Sequence, residues 1–104
     1  MLLDMNNRRD IVSFKGGVTS IGETAFSRCT SLTGITIPDS VISIGESAFA
    51  YCRNLTTVNL LGDAPKIEAN AFERSSPTIY READAKGWGE TLAGRPVKLI
   101  TEKP

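Results

Sequence analysis

One short phrase occurs three times in this chain, and each copy begins 23 residues after the one before. It reads Ile-Gly-Glu-Thr-Ala-Phe from Ile21, Ile-Gly-Glu-Ser-Ala-Phe from Ile44 and Ile-Glu-Ala-Asn-Ala-Phe from Ile67. Between the first two copies most apolar positions recur at the same step, and so do Cys29 and Cys52. A fixed period of roughly 20–50 residues is typical of proteins whose successive turns stack and share one core. The sequence therefore predicts a solenoid with an extended surface, not a fold that encloses a catalytic pocket.

The middle copy indicates how one turn of the chain is built. Residues 35–37 read Ile-Thr-Ile, and this alternation of β-branched and polar side chains predicts a short, half-buried strand. Pro38 has no N–H for a strand ladder, so it predicts a turn. A second extended piece is predicted over 41–44. The segment 46–52 then predicts one helical turn with Phe49 facing the core, too short to be stable without its neighbours.

The same pattern predicts the organisation of the whole chain. We expect a single domain over 1–104, with repeats of about 23 residues in 11–80 and a capping loop and strand in 81–104. Trp88 and Leu92 follow the point where the period is lost, so they are predicted to cover the open apolar end of the array. The alternative is that Trp88 binds a ligand. The other predicted strands lie at 11–14, 57–60, 78–80 and 97–100, and the predicted stack of core rings consists of Phe26, Phe49 and Phe72.

The charge balance excludes several classes of partner. Twelve basic and twelve acidic side chains cancel, so no overall field favours nucleic acid or an anionic membrane, and we expect no nucleic-acid partner. No apolar run approaches the ~20 residues that a membrane-spanning helix needs, so no membrane insertion is expected. The first ten residues lack the apolar stretch of a secretory signal. The chain would then either act inside the cell or be part of a longer exported protein.

Residues that could carry chemistry are few. The chain has no histidine, which excludes Ser-His-Asp and Cys-His catalysis and leaves no imidazole for zinc. Glu23 and Glu46 share one phase and could suggest acid–base or calcium chemistry, but we expect them to begin helical turns, where the helix dipole favours a negative side chain. Cys29 and Cys52 would lie on adjacent turns, within reach of a disulfide, although two buried thiols are the preferred interpretation. We therefore predict no enzyme, no cofactor and no metal site.

The candidate binding residues face outward from the predicted strands. Ser13, Thr36 and Asn59 share one phase, and Thr57 lies in a second phase, so together they would form a polar, hydroxyl-rich stripe. Small polar side chains would let an extended partner segment approach and form hydrogen bonds. The alternative is that these are ordinary strand residues at a surface with no ligand. Tyr51, which shares a phase with Arg28 and Arg74, is a weaker candidate contact on the opposite side.

One full copy supports a family resemblance. The phrase Leu32-x-x-Ile35-x-Ile37-Pro38-x-x-Val41-x-x-Ile44-Gly45-x-x-Ala48-Phe49-x-x-Cys52 resembles the BspA-like leucine-rich repeat of bacteria, which has the same length. The segment 87–97 is similar to a tail that follows such repeats in large exported proteins. The third copy departs from the pattern, because Glu68 replaces the glycine and Ser75 the cysteine. The match covers about residues 11–80.

The resemblance implies both a fold and a function. The fold would be an α/β solenoid, a right-handed leucine-rich-repeat superhelix that is mostly β by content. Short parallel strands would line its concave face, with short helical turns and extended pieces on the other. The function would be that of an interaction module in a cell-surface or secreted protein, adhesin-like, with a protein or glycan partner. A structural spacer within a larger protein and a small intracellular interaction protein remain as alternatives.

Overall fold

The computed structural model describes residues 17–102, which contain eight short strands and no α-helix. The predicted strand at 11–14, with the candidate residue Ser13, lies outside the described residues. The strands predicted at 57–60, 78–80 and 97–100 are confirmed. The elements are β1 (Ser20–Ile21), β2 (Gly34–Ile37), β3 (Ser43–Ile44), β4 (Thr57–Leu60), β5 (Lys66–Ile67), β6 (Thr78–Arg81), β7 (Thr91–Leu92) and β8 (Arg95–Leu99), followed by a 3₁₀ turn at Ile100–Glu102.

The strands form two sheets in which successive copies of the repeat lie side by side. The larger sheet has the order β2-β4-β6-β8-β7 and the smaller one the order β1-β3-β5. All pairs are parallel except β7 with β8. We call residues 18–40, 41–63 and 64–81 coils 1, 2 and 3.

The strand register follows the sequence period from coil 1 to coil 2 and shortens in coil 3. Gly34 pairs with Thr57 at a step of 23 residues. Thr57 pairs with Thr78 after only 21 residues, so the third copy is two residues shorter than the second. The strands are short because each has only one or two inward positions before a turn begins.

The segment after Gly45 is not the helical turn that the sequence predicts. The N–H of Ala48 donates to the carbonyl of Gly45 at 3.3 Å, which closes a tight turn, and Ser47 has a left-handed backbone with φ 55°. A residue of this conformation cannot continue a right-handed helix. The N–H of Phe49 instead donates to the carbonyl of Ala71 on the next coil, at 2.8 Å. The prediction is wrong because alternate backbone donors of this segment, those of Phe49 and Tyr51, pair with the next coil and not with carbonyls four residues back.

This correction extends to the residues around the repeated glycine. Glu23 and Glu46 are not buried, and no helix begins beside them, so a helix dipole cannot explain either residue. The glycine itself has a packing reason in coil 2. A Cβ on Gly45 would lie 2.9 Å from the backbone nitrogen of Glu23, closer than real Cβ contacts allow. Glycine at this position therefore permits the close approach of coils 1 and 2.

Three stacked phenylalanine rings form the centre of the core, as predicted. The ring centroids of Phe26 and Phe49 lie 5.2 Å apart with an interplanar angle of 7°, and those of Phe49 and Phe72 lie 5.4 Å apart at 17°. Phe49 has no exposed surface. Cys52 is buried and Cys29 half-buried, and both thiols are free. The stack gives the short turns the tertiary packing that they need in order to persist.

The segment after coil 3 packs over the end of this core. Trp88 and Leu92 are half-buried against the core cluster, where the predicted capping loop would place them. The indole nitrogen of Trp88 donates to the carbonyl of Gly62 at 3.3 Å. Ala93 and Gly94 join β7 to β8 with φ values of 49° and 79°, the pattern of a type I′ hairpin turn. Residues 83–86 form no helix.

A row of side-chain hydrogen bonds runs along the buried side of the turns. In each bond a polar side chain donates to the carbonyl oxygen of the phenylalanine one step earlier in the stack. The bonds are Cys52 Sγ to Phe26 at 3.0 Å, Ser75 Oγ to Phe49 at 2.6 Å and Arg95 Nη2 to Phe72 at 2.9 Å. Arg95 Nε also donates to the carbonyl of Ser75 at 2.5 Å. The donors in this row are thus a cysteine from coil 2, a serine from coil 3 and, at the end of the row, an arginine from β8.

Candidate functional site

The candidate binding residues Thr36, Thr57 and Asn59 lie on the outer side of the larger sheet, and the structure brings Thr36 and Asn59 into contact. Thr36 and Asn59 are directly opposite on β2 and β4, because the parallel register pairs residues of equal phase. The side-chain amide of Asn59 donates to Thr36 Oγ1 at 3.1 Å. Thr57 is half-buried beside them and pairs with Gly34. We call the outward residues Gly34, Thr36, Thr57 and Asn59 the polar face.

Two further residues continue this row, and the sequence analysis did not single them out. Tyr80 on β6 lies opposite Asn59, and Lys98 on β8 lies opposite Tyr80. Tyr80 is 8% exposed, whereas Lys98 is exposed. The 23-residue period could not identify them, because the steps that separate them from Asn59 are shorter. The row therefore changes from small polar side chains to an aromatic ring and a cation as it approaches the carboxyl-terminal segment.

Hydrogen bonding is the chemistry that this surface can supply. Thr36 and Thr57 offer hydroxyl groups, and the absence of a side chain on Gly34 leaves backbone accessible nearby. A Cβ added to Gly34 would meet only Thr57, at 3.7–3.8 Å, so nothing covers this position closely. Lys98 adds a positive charge at one end. Such a surface can hold an extended polar chain, but it presents no nucleophile activated by a neighbouring base.

The family of the chain follows from its match to known repeats. The family model described as BspA type leucine rich repeat region (6 copies) matches residues 6–81. The chain belongs to this family. The match includes all three coils, so the predicted resemblance is confirmed. No curated protein and no solved structure matches the chain. A leucine-rich-repeat domain is a repeat-based interaction module, and such repeats are generally non-enzymatic.

The cysteines of this leucine-rich-repeat domain are poorly suited to react as nucleophiles. Burial raises the pKa of the Cys52 thiol to about 11, and burial also raises the pKa of Cys29. Both thiols therefore remain largely protonated at neutral pH, and the thiolate is the form that reacts.

Within residues 17–102, no three His, Cys, Asp or Glu side chains lie close enough together to hold a metal ion. The same residues include no helix that is long and apolar enough to span a membrane.

A concave region lies between the turns of coils 2 and 3, and its lining residue Thr56 adjoins Thr57 of the polar face. Its volume is about 580 Å³. Beside it, the guanidinium of Arg28 lies 4.6 Å from the ring centroid of Tyr51. Tyr51, Arg28 and Arg74 share a phase of the repeat, and the sequence indicates them as a weaker candidate contact. Arg53 occupies another phase, so the sequence does not indicate it. We call this region the arginine cleft, and its lining residues are Tyr51, Arg53, Leu55, Thr56, Arg74 and Ser76.

Proposed function

We propose that this domain is the binding module of a cell-surface or secreted protein, adhesin-like, and that its polar face holds an extended segment of a protein or glycan partner. The observation that supports it best is the row of in-register polar residues on β2 and β4, in which Asn59 donates to Thr36. That bond orients both side chains before a partner arrives, so less conformational entropy is lost on binding. BspA-type repeats are commonly found in surface or secreted proteins, which supports the location.

The proposed architecture goes with this function. We propose one domain over residues 1–104, with the repeats in 11–80 and a cap in 81–104. Its coils would follow a right-handed superhelix, because connections between parallel strands of one sheet are right-handed in nearly all proteins. The polar face would be the concave side. A surface of this kind suits an elongated ligand that contacts several coils at once, and Ser13 would extend it by one coil.

The test is a binding screen of the full chain against extracellular-matrix proteins and a glycan array, followed by variants of the polar face. The double variant Thr36→Arg/Asn59→Arg places two bulky cations where the partner would lie. We expect it to weaken binding of a confirmed ligand by at least about tenfold, or about 1.4 kcal/mol. A matched control is Ala69→Arg/Ala83→Arg, which adds the same charge at exposed positions outside the polar face.

The outcomes separate the alternatives. Full binding by the polar-face variant would show that another surface is used. Equal weakening by both double variants would indicate a general effect of charge. Failure of the whole screen would favour the structural spacer, in which the repeats only extend a larger array.

A further inference from the structure

We propose that the arginine cleft is a second binding site, and that it takes an acidic segment of a protein partner through Arg53 and Arg74. This site adjoins the polar face, because the hydroxyl of Thr56 in its lining lies 3.5 Å from that of Thr57, but its cations are not part of that face and it does not depend on the function proposed there. The proposal goes beyond a general interaction module because it names the chemistry of the partner, which is a row of carboxylates on an extended peptide.

The first support is the state of the two guanidinium groups. Arg53 and Arg74 line the same cleft and are exposed. Neither forms a hydrogen bond or an ion pair with any group in residues 17–102. Arg95 behaves differently, because its guanidinium donates to the carbonyls of Phe72 and Ser75. The structure therefore uses Arg95 internally and leaves Arg53 and Arg74 available to an external anion.

The second support is the set of groups around these cations. The exposed hydroxyl-bearing residues Thr56 and Ser76 belong to the same lining, and buried Leu55 contributes to it as well. The volume of about 580 Å³ falls within the roughly 300–1,000 Å³ typical of ligand sites. No acidic residue lines the cleft within the described part of the chain. The Thr56 hydroxyl donates to the carbonyl of Thr33 at 3.1 Å. An incoming carboxylate would thus meet two forked donors and the hydroxyl of Ser76 without a competing negative charge among the lining side chains.

The third support is the backbone that carries the cations. Arg28, Tyr51 and Arg74 have φ values of 64°, 59° and 61°, a left-handed conformation that favours glycine or asparagine. Thr24 and Ser47 have the same conformation, so it is a feature of the repeated turn. It places Arg28, Tyr51 and Arg74 at equivalent points of successive coils.

The spacing of the cations fits an extended peptide. Coils joined through a sheet repeat about every 4.8 Å, so Arg28 on coil 1 and Arg74 on coil 3 are offset by about 10 Å along the stack. A peptide in the polyproline II conformation advances about 3.1 Å per residue with three residues per turn, so positions i and i+3 lie on the same side and about 9 Å apart. Acidic side chains at those positions would match Arg74 and, beside the cleft, Arg28, and Arg53 lies on the coil between them. Arginine also pairs with carboxylates bidentately, which adds geometric specificity.

Two other polyanions fit less well. Single-stranded nucleic acid binds by stacking its bases on aromatic rings, and glycans also use exposed ring faces. One face of Tyr51, the aromatic ring of the cleft, is already covered by the guanidinium of Arg28 at 4.6 Å. The chain as a whole carries no net charge, so it lacks the field that steers nucleic acid. A carboxylate needs only hydrogen-bond donors, and the guanidinium groups of Arg53 and Arg74 and the hydroxyl of Ser76 supply them.

The experiment measures binding of the full chain to a fluorescent peptide with glutamates at positions i and i+3, by anisotropy. Three competitors are a peptide with glutamine in place of glutamate, heparin and a single-stranded oligonucleotide. We expect the glutamate peptide to bind, the glutamine peptide not to compete, and affinity to fall with added salt. The variant Arg53→Gln/Arg74→Gln should weaken binding by at least about tenfold.

Matched variants make the result decisive. Lys66→Gln/Lys86→Gln removes the same charge at exposed positions outside the cleft and should change affinity by less than about twofold. Arg53→Lys/Arg74→Lys keeps the charge but removes the forked donors, so it should bind more weakly than the unmodified chain. The unfolding midpoint of each variant shows whether it is folded. Thr36→Arg/Asn59→Arg should retain binding, which distinguishes this site from the polar face.

Three outcomes would overturn the proposal. The glutamate peptide could fail to bind the folded chain. Arg53→Gln/Arg74→Gln and Lys66→Gln/Lys86→Gln could weaken binding equally. Heparin or the oligonucleotide could displace the peptide and bind more tightly than it does, which would assign the cleft to another class of polyanion.

Discussion

Replacement of Ser75 by alanine tests whether the buried row of hydrogen bonds stabilises the stack. Ser75 is 1% exposed. Its hydroxyl donates to the carbonyl of Phe49 at 2.6 Å and accepts from the backbone N–H of Cys52 at 2.8 Å. Ser75→Ala removes a single oxygen atom, so almost no cavity forms and the effect reports the two hydrogen bonds.

Coil 1 indicates how much of this loss can be recovered. There the N–H of Cys29 donates to the carbonyl of Phe26 within its own turn, at 3.2 Å. In the alanine variant the N–H of Cys52 can turn to Phe49 in the same way. The variant then loses one net hydrogen bond, and every buried group keeps a partner. With roughly 0.5–1.5 kcal/mol for one net hydrogen bond, we expect a loss of about 1 kcal/mol.

The assay is urea unfolding followed by circular dichroism, together with a thermal melt. A loss of about 1 kcal/mol should lower the melting temperature by roughly 4–8 °C in a domain of this size. Ser75→Cys is the informative partner, because Cys52 occupies the equivalent position in coil 2 and its thiol donates to Phe26 at 3.0 Å. It should recover part of the loss. Ser76→Ala, at the exposed neighbouring serine, should change stability by less than about 0.5 kcal/mol.

Two results would refute the reasoning. The first is Ser75→Ala within about 0.5 kcal/mol of the unmodified chain, which is the range of ordinary surface substitutions. The second is Ser75→Cys as destabilising as Ser75→Ala, because the row would then not depend on a donor at this position.

Three further perturbations probe the core, the cap and a buried thiol. Phe49→Ala should cost about 3–5 kcal/mol in urea unfolding, because Phe49 is fully buried and stacks on both neighbouring rings. Arg95→Met keeps the apolar stem but removes the donors to two carbonyls, so backbone amides of coil 3 should exchange hydrogen faster. The third perturbation is a pH titration of stability in a Cys29→Ser background. Burial raises the pKa of the Cys52 thiol to about 11 in the folded chain, so the unfolded chain loses this proton at lower pH than the folded chain does. The free energy of unfolding should therefore keep the contribution of Cys52 below the ordinary thiol pKa and lose it as pH rises towards about 11.

Each of these has its own contrary result. A Phe49→Ala variant that loses under about 1 kcal/mol would show that the rings are not the main source of stability. Unchanged exchange in coil 3 would show that Arg95 does not hold the end of the stack. Cys52→Ser in the same background should weaken the loss of stability at high pH, and an identical pH profile would assign that loss to other groups.

Some of the candidate site could be predicted from the sequence and some could not. Thr36 and Asn59 were predicted to share a face, and their contact follows from an unbroken 23-residue step between β2 and β4. Tyr80 and Lys98 were missed, because the step shortens after coil 2. The arginine cleft joins Arg53 with a residue of a different phase on another coil. No periodicity of side chains indicates that two residues of different phase line one cleft.

The sequence by itself determined the parallel stacking and the core. Inward residues recur every 23 positions, and placing the copies in register is the arrangement that buries all of them, with Phe26, Phe49 and Phe72 as the central stack. The tertiary structure decided the conformation of the turns and the end of the array. Residues after Gly45 read locally as one helical turn, yet the backbone donors of Phe49 and Tyr51 have partners on the adjacent coil, and those partners exist only after the coils have stacked. Arg95 likewise reaches the last carbonyls of the row only because β8 pairs with β6.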